Sequence, residues 1–261
     1  MRKIYRYIRV LGFDPVKILR SIKALPLYWR ELSIFRRNLN KSVWVLHTRP
    51  ILDERNAESA SLGEYFWQDL FVAKRIIESN PERHIDVGSR VDGFVAHVAC
   101  VRNVEVLDIR PMTATIPNVS FTRWDITNPR EDLKGVADCV TCLHTLEHIG
   151  LGRYGDPLDP DGWKKALASL AGVVAPGGAL WLSVPIGVQR VEFNAHRVFS
   201  PITIRDEAQR AGLVVAEFHY LQGAQLFHST DVEEDMNRLG RADYGLGIFY
   251  FRRHNHEGVN P

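Results

Sequence analysis

Short apolar runs bounded by turn residues recur through the middle of the chain. They are His84–Val87, Val104–Ile109, Ala137–Leu143, Ala179–Val184 and Leu213–Tyr220, with a weaker run ending at Phe121–Arg123. Runs of this length between Gly, Pro, Asn and Asp predict buried strands. Helical spacing fills the gaps. Phe66, Leu70, Ala73 and Ile77 predict one face of a helix over Gly63–Asn80, closed by Asn80-Pro81, and Gly162–Val174 and Pro201–Ala211 follow the same period. A last run, Gly245–Phe251, predicts an edge strand after the sixth. Strands alternating with helices predict an α/β fold: a Rossmann-like, mainly parallel seven-stranded sheet flanked by helices.

The first segment has a different pattern. Ile4, Ile8 and Leu11 share a helical face, Gly12 and Pro15 interrupt, Ile18, Ile22 and Leu25 repeat the spacing as far as Pro26, and Tyr28, Leu32, Phe35 and Leu39 form a third stripe. The spacing predicts a basic helical N-terminal extension over 1–58 and a second domain over 59–261. The tail from His254 to Pro261 reads as frayed.

Charge sharpens this division. Residues 1–41 hold eleven Lys/Arg and two acids, an excess of nine, within a chain whose net charge is only +2. The rest therefore carries seven more acids than bases. Basic amphipathic helices suit a peripheral contact with an anionic membrane surface, or packing on a partner such as a second copy in a homodimer. The acidic balance of residues 42–261 disfavours a long nucleic-acid footprint. No run of ~18 apolar residues is present to span a bilayer, and the N-terminus does not read as a secretory signal. The expected location is cytoplasmic, with peripheral contact at the inner membrane. The three cysteines, Cys100, Cys139 and Cys142, fit a reducing compartment. Cys139 and Cys142 have redox-motif spacing, but within a strand they face opposite sides, as core residues would.

Three strand ends carry candidate chemistry. Asp86-Val87-Gly88-Ser89-Arg90 follows the first strand, where a glycine permits a sharp turn and close approach of a ligand. Asp108-Ile109 closes the second strand, 20 residues after Gly88. An acid at that distance is placed to accept from both ribose hydroxyls of a nucleoside. Asp125-Ile126 follows the third strand, with a carboxylate for an adenine amine and an apolar side chain for the ring. The turn lacks G-x-G-x-x-G, because Arg90 stands two residues after Gly88. A pyrophosphate cofactor is thereby disfavoured, whereas S-adenosylmethionine, which has no phosphates, tolerates the looser turn. Pro176-Gly177-Gly178 before the fifth strand predicts a helix-turn-strand junction.

Long segments then carry a resemblance: Gly63–Leu70, His84–His97, Leu146–Asp156, Ser183–Gly187 and Val191–Phe199. From Asp86 to about Tyr220 the chain resembles class I S-adenosylmethionine-dependent methyltransferases. Nearly the whole chain is similar to domain of unknown function 268, methyltransferase-like proteins often encoded among bacterial surface-glycan genes. The resemblance implies that fold and S-adenosylmethionine as cofactor, with Asp86, Gly88, Ser89, Arg90, Asp108, Ile109, Asp125, Ile126 and Leu143 as candidate cofactor-binding residues.

The reaction centre is read from Cys142–Ile149. His144, Glu147 and His148 gather where the fourth strand gives way to loop, and His196 follows the fifth strand. Three readings remain open. His144, His148 or His196 acts as a general base on a hydroxyl; or His144, Glu147, His148 and His196 hold a divalent metal (Zn, Mn, Fe or Mg) that polarises the acceptor; or these side chains only brace the loop. The metal pattern resembles the cluster of small-RNA 2′-O-methyltransferases, with His144 where an acid stands there. Arg153, Tyr154, Asp156, Asn194 and Arg197 are candidate acceptor contacts, and Asp161 is a candidate cap for the helix that follows. The expected activity is methyl transfer to a sugar hydroxyl of a surface glycan or of its nucleotide- or lipid-linked precursor. RNA 2′-O-methylation and a non-catalytic binding domain of the same fold are the alternatives.

Overall fold

The computed structural model describes residues 9–39, 45–52, 62–223 and 225–254. The chain divides into two units, Met1–Ser61 and Leu62–Pro261. In the first, α1 spans Pro15–Asn38, with Asp14 as N-cap accepting from the backbone N–H groups of Val16 and Lys17. Pro26 does not end this helix, contrary to the break its ring predicts. It sits inside a continuous helix that forgoes one backbone hydrogen bond there. The predicted stripe through Ile4 and Ile8, the 58/59 boundary and the tail beyond His254 lie outside the described residues. Among the described residues, no helix is long and apolar enough to cross a membrane.

The second unit opens with α2 (Glu64–Ser79), closed by Asn80 in the left-handed conformation. Strands β1 (His84–Val87), β2 (Val104–Asp108), β3 (Val119–Arg123), β4 (Ala137–Leu143) and β5 (Val174–Ile186) follow. Between β1 and β2 a π-turn, Val91–Val95, runs into α3 (Ala96–Ala99), and α4 (Gly162–Val173) precedes β5. Then come a small hairpin of β6 (Arg190–Glu192) and β7 (His196–Val198), α5 (Pro201–Arg210), β8 (Leu213–Gln222), β9 (Gln225–His228), α6 (Val232–Leu239) and β10 (Gly245–Arg253).

The main sheet has eight strands, not seven, in the order β3-β2-β1-β4-β5-β10-β8-β9. β1 to β5 pair in parallel. β10 runs antiparallel between β5 and β8, so it is an interior strand rather than the expected edge. Its burial explains its nearly unbroken apolar run, since a strand covered on both faces shows no alternation. The eighth strand is β9, which folds back on β8 and takes the edge. Pro176-Gly177-Gly178 is not a helix-turn-strand junction but a bulge within β5. The register passes from Ala137↔Val174 to Cys139↔Ala179 across it.

The sheet separates two apolar layers. Ile85, Val87, Val140 and Cys142 face α4 and α5 in one, while Cys139, Leu143, Val104 and Val106 face α2 and α3 in the other. The two cysteines therefore do occupy opposite faces. Burial pushes the Cys139 thiol up to about 12 and raises that of Cys142 well above its usual value, so neither ionises near neutral pH.

α2 is turned relative to its expected stripe. Val72, Ala73 and Ile76 are buried with Gln68 and Asp69, whereas Phe66, Leu70 and Ile77 are exposed. The rotation is about one residue, ~100°. Hydrogen bonding accounts for it: Gln68 accepts from the Ser183 hydroxyl of β5 and donates to Asp69. The apolar stripe alone does not reveal that this helix buries polar atoms beside the carboxyl ends of the strands.

Candidate active site

The turn after β1 is stitched to β4 from behind. The Ser89 hydroxyl and the Thr141 hydroxyl each donate to Asp86 at 2.6 Å, the Ser89 N–H donates to it at 3.2 Å, and the Leu143 N–H donates to Ser89 Oγ at 3.1 Å. Asp86 is fully buried, and desolvation pushes its carboxyl up to about 7 despite these bonds. Gly88 then turns with φ +74°, and a Cβ there would lie 2.5 Å from the Thr145 side chain. Gly88→Ala is expected to destabilise the protein by roughly 1–2 kcal/mol from the left-handed backbone alone. Displacement of Thr145 adds to this cost and weakens nucleoside binding. Thermal denaturation and calorimetry check both effects.

A crevice open to solvent lies at the carboxyl ends of β1, β2 and β4, where open α/β sheets hold their ligands. Of the candidate cofactor-binding residues, Gly88, Arg90, Asp108, Ile109, Asp125 and Ile126 line it. Asp86, Ser89 and Leu143 do not; they form the brace behind the turn. Asp108 accepts from Arg110 twice through the guanidinium, at 2.6 and 3.0 Å, and from its N–H at 2.8 Å. Arg110 lies over the Tyr154 ring, 4.8 Å from its centroid. Asp125 spends its carboxylate locally, accepting from Thr127 and Asn128, so its side chain shapes the loop while still lining the crevice. Val87, Leu107, Trp124 and Ile149 supply apolar wall. An acid at the end of β2, a bare glycine turn and an apolar slot fit the sugar and the base of a nucleoside.

The other side of the crevice is built on the β4 exit. His144 has φ +52°, a conformation that costs a non-glycine residue of order 1–3 kcal/mol and concentrates at functional sites. Its Nδ1 pairs with Glu147 Oε1 at 2.8 Å, its ring lies 4.4 Å from that of Tyr65, and Glu64 Oε1 is 3.9 Å from its Nε2. Burial works against the charged His144 imidazole, but the bond to Glu147 and the charges of Glu147, Glu64 and Asp69 prevail and raise its pKa. His144 Nε2 and Glu147 Oε2 are buried without a hydrogen-bond partner, which marks unfilled bonding capacity at the site.

His148 differs. Its Nδ1 donates to the Ala195 carbonyl at 2.7 Å. That bond leaves Nε2 as the basic nitrogen, 3.7 Å from Glu147 Oε1. Desolvation lowers the His148 pKa, and Arg153 and His196 lower it further, against the opposing Glu147. The two imidazoles are thus pushed apart, the arrangement that separates acid from base in a site.

His196, on β7, stands 6.5 Å from the His148 ring and does not line the crevice. The predicted metal set is therefore not assembled. The ligand atoms of His144, Glu147, His148 and His196 do not gather three at a time at the spacing a bound ion needs. Among the described residues, the group of three with ligand spacing is instead Glu217, His219 and His228, elsewhere on the sheet.

Of the predicted acceptor contacts, Tyr154 and Asp156 line the crevice. Asp156 also gathers its own loop, accepting from the N–H groups of Gly150, Tyr154 and Gly152. Arg197 does not reach the crevice. It is buried and donates to the carbonyls of Ile149 and Pro160, bracing the same loop. Arg153 donates to the Ala195 carbonyl and covers Tyr154, and exposed Asn194 turns the β6–β7 hairpin with φ +62°. Asp161 stands at the N-terminus of α4 without a side-chain capping bond and pairs with Lys164 instead.

Three residues escape the sequence reading. Glu64 and Tyr65 enter from the start of α2, and Tyr244 from the loop before β10. The Tyr244 hydroxyl donates to Glu64 at 2.9 Å, and its ring lies 6.4 Å from that of His196. Burial, aided by Glu147 and Glu64, pushes the Tyr65 hydroxyl up to about 12.

This sheet order, with its crevice at the strand ends, is the fold of class I S-adenosylmethionine-dependent methyltransferases. A protein from Galdieria sulphuraria provisionally assigned as a sarcosine dimethylglycine methyltransferase matches at 14% identity over 72% of this chain and 86% of that one (TM-score 0.51). The N-methyltransferase NodS from Bradyrhizobium japonicum WM9, in complex with S-adenosylhomocysteine, matches at 15% over 73% and 88% (TM-score 0.50). The cyclase SpnF matches at 13% over 72% and 80% (TM-score 0.51). At these identities the likeness establishes the fold. Comparison with curated proteins gives no match. Residues 95–225 match the family described as Caenorhabditis protein of unknown function, DUF268, and the chain belongs to that family.

Proposed function

We propose that this protein is an S-adenosylmethionine-dependent O-methyltransferase. Its acceptor is a sugar hydroxyl of a surface glycan or of its nucleotide- or lipid-linked precursor. The observation that carries the reading is the placement of His148, with Nε2 free of hydrogen bonds, on the same crevice wall system as Asp108. A hydroxyl must lose a proton during methyl transfer, and a neutral imidazole with one committed nitrogen is a base for that step.

Gly88, Asp108, Ile109, Asp125 and Ile126 would hold the cofactor, Asp108 by accepting from the ribose hydroxyls. When bound, the cofactor supplies a methyl on a sulfonium, a good leaving group for in-line displacement. The chain's residues do the rest. The crevice walls align acceptor oxygen and methyl. His148 Nε2 would take the proton that the acceptor hydroxyl loses in the transfer. Glu147, close to both imidazoles, stabilises the resulting imidazolium. His144, through its Nδ1 bond to Glu147, keeps that carboxylate in place.

The acceptor class is supported by the polar groups about the crevice: Tyr154, Asp156, Arg90 and Arg110 line it and Arg153 flanks Tyr154, a mix of donors and acceptors that suits sugar hydroxyls. The basic excess of residues 1–41 supports peripheral contact with an anionic membrane on the cytoplasmic side, where a lipid-linked precursor is presented. The RNA alternative loses its main support, because the metal cluster it shares is not assembled. Mass spectrometry of surface glycan from cells with and without the gene tests the proposal. The expected result is a sugar heavier by one CH₂ only when the gene is intact; identical glycans overturn the acceptor assignment.

A further inference from the structure

Three strands from the crevice, the β8–β9 hairpin carries polar chemistry that methyl transfer does not use. His219 and His228 are register partners across the hairpin, so their side chains lie on one face. Their Nδ1 atoms stand 3.3 Å apart. Glu217, two residues before His219 on the same strand, shares that face. Its Oε2 is 3.0 Å from His219 Nε2, and its Oε1 is held by Arg75 of α2 at 2.5 Å. All three residues bring a ligand atom to within 4.8 Å of the others.

The bonding order fixes the tautomer. With Oε1 taken by Arg75, Glu217 accepts the His219 Nε2–H, and His219 Nδ1 keeps its lone pair. That lone pair faces His228 Nδ1. One proton between the two nitrogens satisfies the pair as a hydrogen bond. Replacing that proton with a metal ion satisfies it equally, and 3.3 Å matches the edge of a tetrahedron with metal–nitrogen bonds of ~2.0–2.1 Å. The carboxylate behind a ligating imidazole is the usual support for such a ligand. His219 is 5% exposed and rests against Phe71 and Trp181, with ring centroids 4.7 and 6.3 Å away. His228 is exposed, so water can complete the coordination from the solvent side.

We propose that His219 and His228 bind one divalent transition metal of the zinc type through their Nδ1 atoms, with Glu217 as the positioning carboxylate. The ion staples the edge strand β9 to β8. Imidazole donors without a thiolate select zinc-type ions over Mg²⁺ or Ca²⁺.

The test is titration of ZnCl₂ into the full-length protein after EDTA treatment, followed by calorimetry, with MgCl₂ as control. The expected result is one Zn²⁺ per chain, no Mg²⁺ binding and a Zn²⁺-dependent rise in melting temperature. His228→Gln, at an exposed position, is expected to melt like the wild type in EDTA. It should weaken Zn²⁺ binding at least tenfold and lose the thermal shift. Glu217→Gln should weaken binding less, and His148→Gln should leave it unchanged. Wild-type protein that binds no Zn²⁺, or Zn²⁺ binding that survives His228→Gln or vanishes in His148→Gln, overturns the proposal.

Discussion

Asp108→Ala is expected to weaken S-adenosylhomocysteine binding by roughly 10²–10⁴-fold in calorimetry. Two charge-assisted hydrogen bonds to the ribose would be lost, each worth about 1.5–3 kcal/mol, and each factor of ten corresponds to about 1.4 kcal/mol. The fold should survive, because Asp108 ends its strand at the crevice and its bonds run to Arg110, two residues away. The melting temperature of the unliganded variant is therefore expected to stay near that of the wild type. Wild-type affinity in the Asp108→Ala variant would contradict the assignment of the crevice.

His148→Gln is expected to lower kcat by about 10²–10⁴-fold, the usual contribution of a positioned base, with cofactor affinity unchanged. The pH dependence supplies a sharper check. Burial lowers the His148 pKa below 6.5, and Glu147 works against that shift. The base is therefore neutral at pH 7, and activity should fall only as the pH drops below the ordinary histidine range. Glu147→Gln removes the larger of the two influences that support the charged imidazole, the other being the bond to the Ala195 carbonyl. The His148 pKa should then fall further, and the acid limb should move to lower pH. NMR titration of the imidazole reads the same shift without an acceptor. An acid limb that moves upward in Glu147→Gln would contradict this role for the carboxylate.

Much of this was legible in the chain, for identifiable reasons. β1 and β4 stand where their apolar runs place them, because strands buried in a parallel sheet show no alternation and end sharply at turns. α2 was legible as a helix but not in orientation, because its buried face includes Gln68 and Asp69, which pack through hydrogen bonds. β6, β7 and β9 are short and polar, and no periodicity announces them; α6 does carry helical spacing in Val232, Met236 and Leu239 behind the Asp231 cap, too short a run to stand out. The position of β10 is a matter of pairing between distant segments, which strand patterns do not encode. The site divides in the same way. Asp108, Asp125, His144 and His148 follow strand ends and could be found by position. Glu64, Tyr65 and Tyr244 arrive through tertiary folding from both sides of the sequence. Spacing in sequence brought His196 beside His148, where the structure has it, but could not show that the ligand atoms of the four residues do not converge.

The most direct test of the central claim is a crystal structure of the protein with S-adenosylhomocysteine. The account predicts ribose hydroxyls on the Asp108 carboxylate, adenine against Ile126, and the sulfur on the His148 side of the crevice. A nucleoside bound elsewhere, or a crevice left empty at saturating ligand, would contradict it.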